Sequence, residues 1–153
     1  MKVIFLDIDG VMNYAETDAH APSGALGIAT PPLKCLSRIV RETGARIVLT
    51  STWKKEWSSD EEACSEDGKY LNRRLNRHGL HILDKTKDEI VNRGTGIEAW
   101  LATRPFVTDW IVLDDEVFPD YDSCGVLPHL IRTSFEAGGL NDRLAQQCIE
   151  RLS

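Results

Sequence analysis

Two short apolar runs stop at acids, and this constrains the fold more than any other feature of the chain. Val3-Ile4-Phe5-Leu6 runs into Asp7-Ile8-Asp9-Gly10-Val11, and Trp110-Ile111-Val112-Leu113 runs into Asp114-Asp115-Glu116. A continuous apolar run, unlike an alternating one, fits a strand covered on both faces, as in parallel sheets. In an open parallel sheet, ligands bind just beyond the carboxyl ends of the strands. If the two strands are neighbours, Asp7, Asp9, Asp114 and Asp115 converge on one small volume.

Strand-like runs alternate with helical patterns along the rest of the chain. This predicts an α/β layer fold with a mainly parallel central sheet. Thr30 can cap a helix, with Pro31 in its first position and Gly44 at its end. Leu33, Leu36, Ile39 and Val40 recur on one face of that helix. Residues 46–49 read as a second strand, and 50–57 as a turn into a short helix. A helix over 69–78 closes at Gly79, and 80–83 reads as a third strand. Thr95-Gly96-Ile97-Glu98 is a capping box opening a helix that Arg104-Pro105 ends. Strands over 110–113 and 130–132 follow, and Asn141 caps a final helix. Residues 13–30 read as a long loop of the kind that carries function. The polar, acidic stretch 58–68 is too short for a cap domain. No boundary divides two cores, so residues 1–153 are expected to form a single domain.

The chain has 153 residues, enough to bury roughly 70% of the surface of its unfolded form without disulfides. Cys35, Cys64, Cys124 and Cys148 make no C-x-x-C pair and no zinc-finger spacing, so they read as reduced and structural. The net charge of −6 argues against a nucleic-acid coat protein, yet leaves room for a local basic patch. The longest apolar runs are four residues, far short of the about 20 that span a membrane. No secretory leader is visible. The expectation is a cytoplasmic protein with no membrane association and no obligate protein partner.

Carboxylates crowded at low dielectric repel one another, and a divalent cation relieves the repulsion. All-oxygen ligation favours a hard ion, and Mg²⁺ typically uses few carboxylates plus a substrate phosphate. The second strand ends in Thr50-Ser51, whose hydroxyls suit phosphate oxygens as well as they suit a helix cap.

These residues resemble the motifs of the haloacid dehalogenase-like (HAD) phosphohydrolase superfamily. Its first motif, Asp-x-Asp-Gly-Val after an apolar strand, stands at Asp7 to Val11. Its second, a hydroxyl residue after a strand, fits Thr50, and its fourth, an acid pair, fits Asp114-Asp115. Leu49-Thr50-Ser51-Thr52-Trp53-Lys54, Arg93-Gly94-x-x-Ile97 and Gly139-Leu140 are similar to small capless members, including domains associated with RNA-repair proteins. The resemblance implies a three-layer Rossmann-like fold with no large cap, and a Mg²⁺-dependent phosphatase acting through an aspartyl phosphate. Asp7 would be the nucleophile, and Asp9 would protonate the leaving oxygen and later activate water. Asp7, the backbone carbonyl of Asp9, and Asp114 would hold Mg²⁺, with Asp115 a further ligand or a partner to one. Thr50, Ser51, Lys54 and Lys87 would contact substrate. The family's third motif is a Lys or Arg beside the nucleophile. Arg93 is the choice for it, ahead of Lys87 and Lys85.

An open site would admit a phosphorylated small molecule or a nucleic-acid end. Lys69, Arg73 and Arg77 fall in a row on one helix, with Arg74 beside them, either as a surface for a polynucleotide or as a solvated face. Trp53, beside Thr50, is a candidate stacking platform, and Glu116 and Asp120 are candidate metal contacts through water. His20, in the loop after the first motif, reads as a surface residue. Two other functions stay open. A receiver-like signalling module also uses Mg²⁺ and a phosphorylated Asp, but carries its acid pair early and a Lys late, the reverse of this order. A catalytically inactive phosphate-binding protein is the other.

Overall fold

The computed structural model describes residues 1–87 and 92–153. Its centre is a sheet of strands β1 (Lys2–Leu6), β2 (Arg46–Leu49), β3 (Ile82–Lys85), β4 (Asp109–Asp114) and β5 (Leu130–Arg132). The spatial order is β3-β2-β1-β4-β5, and every pairing is parallel. The strand that carries Asp7 is therefore central, flanked by the strands that lead to Thr50 and Asp114.

Alternation along each strand divides the core in two. Ile4, Leu6, Ile47, Leu49, Ile111 and Leu113 face helices α1 (Thr30–Thr43), α2 (Glu66–Asn76) and α4 (Asp142–Leu152). Val3, Phe5, Val48 and Val112 face the other way, onto Ile97 and Trp100 of helix α3 (Arg93–Ala102) and onto Tyr121 and Val126. Burial on both faces explains why these strands read as unbroken apolar runs. The result is three layers, a small Rossmann-like α/β fold without a cap. No described helix is long and apolar enough to cross a membrane.

Several element boundaries differ from the sequence reading. Thr30 is the first helical residue of α1; Ala29 precedes it without a side-chain cap. The Thr30 hydroxyl accepts from Arg74 instead. At the other end Gly44 does close the helix, at φ 73°. Helix α2 starts at Glu66, where the Ser65 hydroxyl accepts from Gly68 N–H, so part of the expected acidic loop is helical. Strand β3 lies two residues later than expected, across a register shift opposite Ile47 and Val48. The short helix after β2 is a 3₁₀ turn over Thr52–Lys55. Helix α3 opens at Arg93 after Asn92, not at Thr95. The Thr95 hydroxyl donates to Asp120, so the capping box is not formed at that point. The loop over 13–30 contains one isolated bridge, between His20 and Leu26.

Candidate active site

The sheet's hydrogen-bond ladder runs one residue beyond the strands and sets the site residues in a row. Asp7 N–H donates to Leu113 O at 3.0 Å, Thr50 N–H to Leu6 O at 2.9 Å, and Thr133 N–H to Asp114 O at 2.9 Å. Asp7, Thr50, Asp114 and Thr133 thus emerge side by side at the carboxyl edge. All four are buried.

Three carboxylates meet there. Asp7, Asp114 and Asp115 each offer an oxygen within 4.8 Å of the others. Arg93 enters from the first turn of α3. Its Nη1 lies 3.2 Å from Asp7 Oδ1 and 2.9 Å from Asp114 Oδ2. Its guanidinium also stacks 4.1 Å over the Phe118 ring. Asp114 Oδ2 takes a second hydrogen bond, from Tyr121 Oη at 2.7 Å, and Oδ1 accepts from Glu116 N–H at 3.0 Å. Gly10, at φ 84°, makes room for the third acid: a Cβ there would lie 2.1 Å from Asp115 Oδ2.

The fourth expected carboxylate is not in this cluster. Asp9 is exposed, and its Oδ1 accepts from Asn13 Nδ2 at 2.9 Å. Asn13, fully buried, also accepts from Gly10 N–H and donates to Gly27 O. The turn at Gly10 and the Asn13 amide hold Asp9 at the open rim while Asp7 stays at the floor.

The electrostatics show an unbalanced centre. Burial and the Asp114 charge raise the Asp7 carboxyl well above the ordinary range, against the pull of Arg93. Burial and Asp114 raise Asp115 as well. Burial works against the charged Arg93, but Asp7 and Asp114 outweigh it and hold the guanidinium above its usual value. Three carboxylates around one guanidinium leave negative charge uncompensated, and a hard cation fits this all-oxygen set. Thr50 Oγ1 is buried with no hydrogen-bond partner. An orphaned hydroxyl at this edge fits a ligand oxygen, since buried polar groups are otherwise paired.

Of the three candidates for the third motif, Arg93 is the one whose described ion pairs join it to these acids. Lys85 donates to the backbone carbonyls of Lys54 and Trp57, at 2.8 and 2.5 Å, and so ties down the turn after β2. Lys87 is exposed and lines a separate cleft with Trp100 and Arg104. Lys54 is buried. Ser51 Oγ accepts from Trp53 N–H and caps the 3₁₀ turn. Trp53 is 6% exposed and packs in the core, so it presents no open stacking face. Glu116 is exposed. Asp120 serves α3: it accepts from Gly94 N–H, Thr95 N–H and the Thr95 hydroxyl. Burial pushes its carboxyl up, but the Thr95 and Gly94 donors outweigh that and hold it below its usual value. On α2, Lys69 pairs with Glu66 and Arg74 donates to Ile28 O, while Arg73 and Arg77 are exposed. His20 is exposed, as expected.

Sequence reasoning missed Tyr121, Asn13 and Thr133. Thr133 Oγ1 donates to Gly10 O at 2.6 Å and pins the first motif to β5. Asn13, three residues past Gly10, carried a faint local signal as a turn residue. Tyr121 carried none, because only the packing of its loop brings it to Asp114.

A parallel α/β sheet with this acid cluster at its carboxyl edge defines a haloacid dehalogenase-like domain. Residues 3–145 match the family described as the HAD domain in Swiss Army Knife RNA repair proteins, and the chain belongs to that family. No curated protein and no solved structure matches. Membership supports a hydrolase of the phosphatase kind.

Proposed function

We propose that this protein is a Mg²⁺-dependent phosphomonoesterase that works through an aspartyl phosphate on Asp7, with a terminal phosphate of a nucleotide or nucleic acid as substrate. The observation that carries the reading is the position of Asp7. It is a buried carboxylate between Arg93 and two further acids, beside an unpartnered Thr50 hydroxyl. The family description, with its RNA-repair context, supports the substrate class.

Asp7 Oδ attacks phosphorus, and the bond to the leaving oxygen breaks. Asp9, at the open rim, gives that oxygen a proton. Asp9 then takes a proton from water as the water attacks phosphorus, which frees Asp7 and releases phosphate. Arg93 offsets charge on Asp7 and the phosphoryl oxygens, and Thr50 donates to one of them. Asp7, Asp114, Asp115 and the Asp9 carbonyl would hold Mg²⁺. When bound, the ion supplies positive charge against the repulsion between an anionic nucleophile and an anionic ester. Asp114 is oriented for this by Tyr121 and Glu116 N–H.

Asp7→Asn should lower turnover of an aryl phosphate in the presence of Mg²⁺ by at least about 10³-fold, since loss of a nucleophile removes the covalent route. Near-normal turnover in that variant would refute the assignment.

A further inference from the structure

Beside the acid cluster lies a cleft of about 370 Å³ with a different charge character. It shares Asp115 with the cluster, and Arg132, Ser134 and Arg143 line it. Its walls are tied to the first motif and to the loop that follows it. Thr133 Oγ1 donates to Gly10 O, Leu140 N–H to Val11 O, and Ala15 N–H to Phe135 O. A Cβ at Gly139 would meet Val11 O at 2.7 Å, so the two loops are closely packed.

Two arginines stand in this cleft without a carboxylate partner among the described residues. Arg132 is held at one end, where its Nε–H donates to Asp115 O at 3.0 Å. Its terminal nitrogens have no described acceptor. Arg143 is the second residue of α4, after the Asn141 cap. A cation in the first turn opposes the helix dipole, so helix stability does not account for it. Glu136 is the one acid of the cleft wall besides Asp115.

Register gives the distance scale. Arg132 is the pairing partner of Asp114, and Asp7 follows Leu6, which pairs with Leu113. Arg132 therefore sits about two strand spacings, roughly 10 Å, from the backbone of the nucleophile. A guanidinium presents paired N–H groups that match phosphate oxygens.

We infer that this cleft is a second phosphate subsite, which binds a phosphate on the leaving group while the scissile phosphate sits at Asp7. The inference rests on the phosphatase reading above. It narrows the substrate class to phosphomonoesters bearing a second phosphate. That second phosphate is either the other end of a nucleoside bisphosphate or the adjoining diester of an oligonucleotide.

The test compares wild type with Arg143→Ala and Arg132→Ala on an aryl phosphate, a nucleoside 3′,5′-bisphosphate, and 3′- and 5′-phosphorylated short oligonucleotides. The ratio of kcat/KM for the doubly phosphorylated substrates to that for the aryl phosphate should fall about tenfold in each variant. An unchanged ratio overturns the subsite and leaves the phosphatase reading intact. If no substrate turns over, the phosphatase reading fails by itself. Equilibrium binding of the same bisphosphate and oligonucleotides, fluorescently labelled, then decides the subsite. Arg143→Ala should weaken binding about tenfold, and equal affinity overturns the proposal. Arg143 is exposed on the helix surface, so its removal leaves the fold intact. A fall in the ratio with the bisphosphate identifies the small-molecule source, and a fall with the oligonucleotides alone identifies the polynucleotide.

Discussion

Asp7 is held where its own charge is unfavourable. Burial and Asp114 raise its native pKa, and Arg93 only partly offsets them. Between the ordinary aspartate value of about 3.9 and the raised native value, the folded state keeps a proton that the unfolded state has lost. Stability therefore falls as pH rises through that window, and the penalty is complete above it. Asp7→Asn should raise Tm at pH 7 without added metal, by about 1 kcal/mol of stability or roughly 2–4 °C. The gain should shrink as the pH approaches 4. Thermal denaturation at both pH values checks this, and an equal gain at each would remove charge as the cause. Arg93 keeps Asp114 as a partner in the variant. Asp7, Thr50 and Asp114 were legible because each follows directly on an apolar strand. The place of Asp9 was only half legible. The local spacing put it beside Asp7, but Asn13 holds its carboxylate out at the rim.

Helix α3 delivers Arg93 to the acids, and Asp120 fixes where that helix begins. Asp120→Ala removes an acceptor from Gly94 N–H, Thr95 N–H and the Thr95 hydroxyl. Loss of such a cap costs about 1 kcal/mol, and Arg93 stands one residue before Gly94. Turnover of an aryl phosphate should fall severalfold, with hydrogen exchange faster in the first turn of α3. An unchanged exchange rate there would show that Asp120 does not hold the helix. Since the Asp120 carboxyl is held below its usual value, its contribution is present above the ordinary aspartate range. It is lost as pH falls through the lower native value. The sequence reading placed this helix start at Thr95, because Thr95-x-x-Glu98 is a sound local pattern. Asp120, distant in sequence, takes the Thr95 hydroxyl and the nearby backbone donors, so the helix opens earlier. The boundary errors at α2 and β3 have the same character: local pattern marks that an element exists, and packing sets its ends.

Across the molecule, the strand order places three acids around one volume, and folding leaves their repulsion incompletely balanced. A cation that binds the native state alone must then stabilise the whole fold. At a free Mg²⁺ concentration 100 times its Kd the gain is about 2.7 kcal/mol, roughly 5–10 °C in Tm for a chain of this size. Asp115→Ala, which removes one of the three carboxylates, should reduce that rise. Thermal melts across a Mg²⁺ series check it. The same rise in wild type and variant would place the ion elsewhere.

Apolar runs ending in acids, read in one dimension, were enough for the layered parallel fold, the family motifs and the acids at the strand ends. Those signals are local: a buried strand must be apolar on both faces, and a residue next after it must emerge at the sheet edge. How Tyr121 reaches Asp114, and how Arg132 and Arg143 come to line one cleft, were decided by tertiary structure alone. Each depends on the order of strands and the packing of loops across them. No spacing along the chain encodes the distance between side chains that folding brings together from opposite ends.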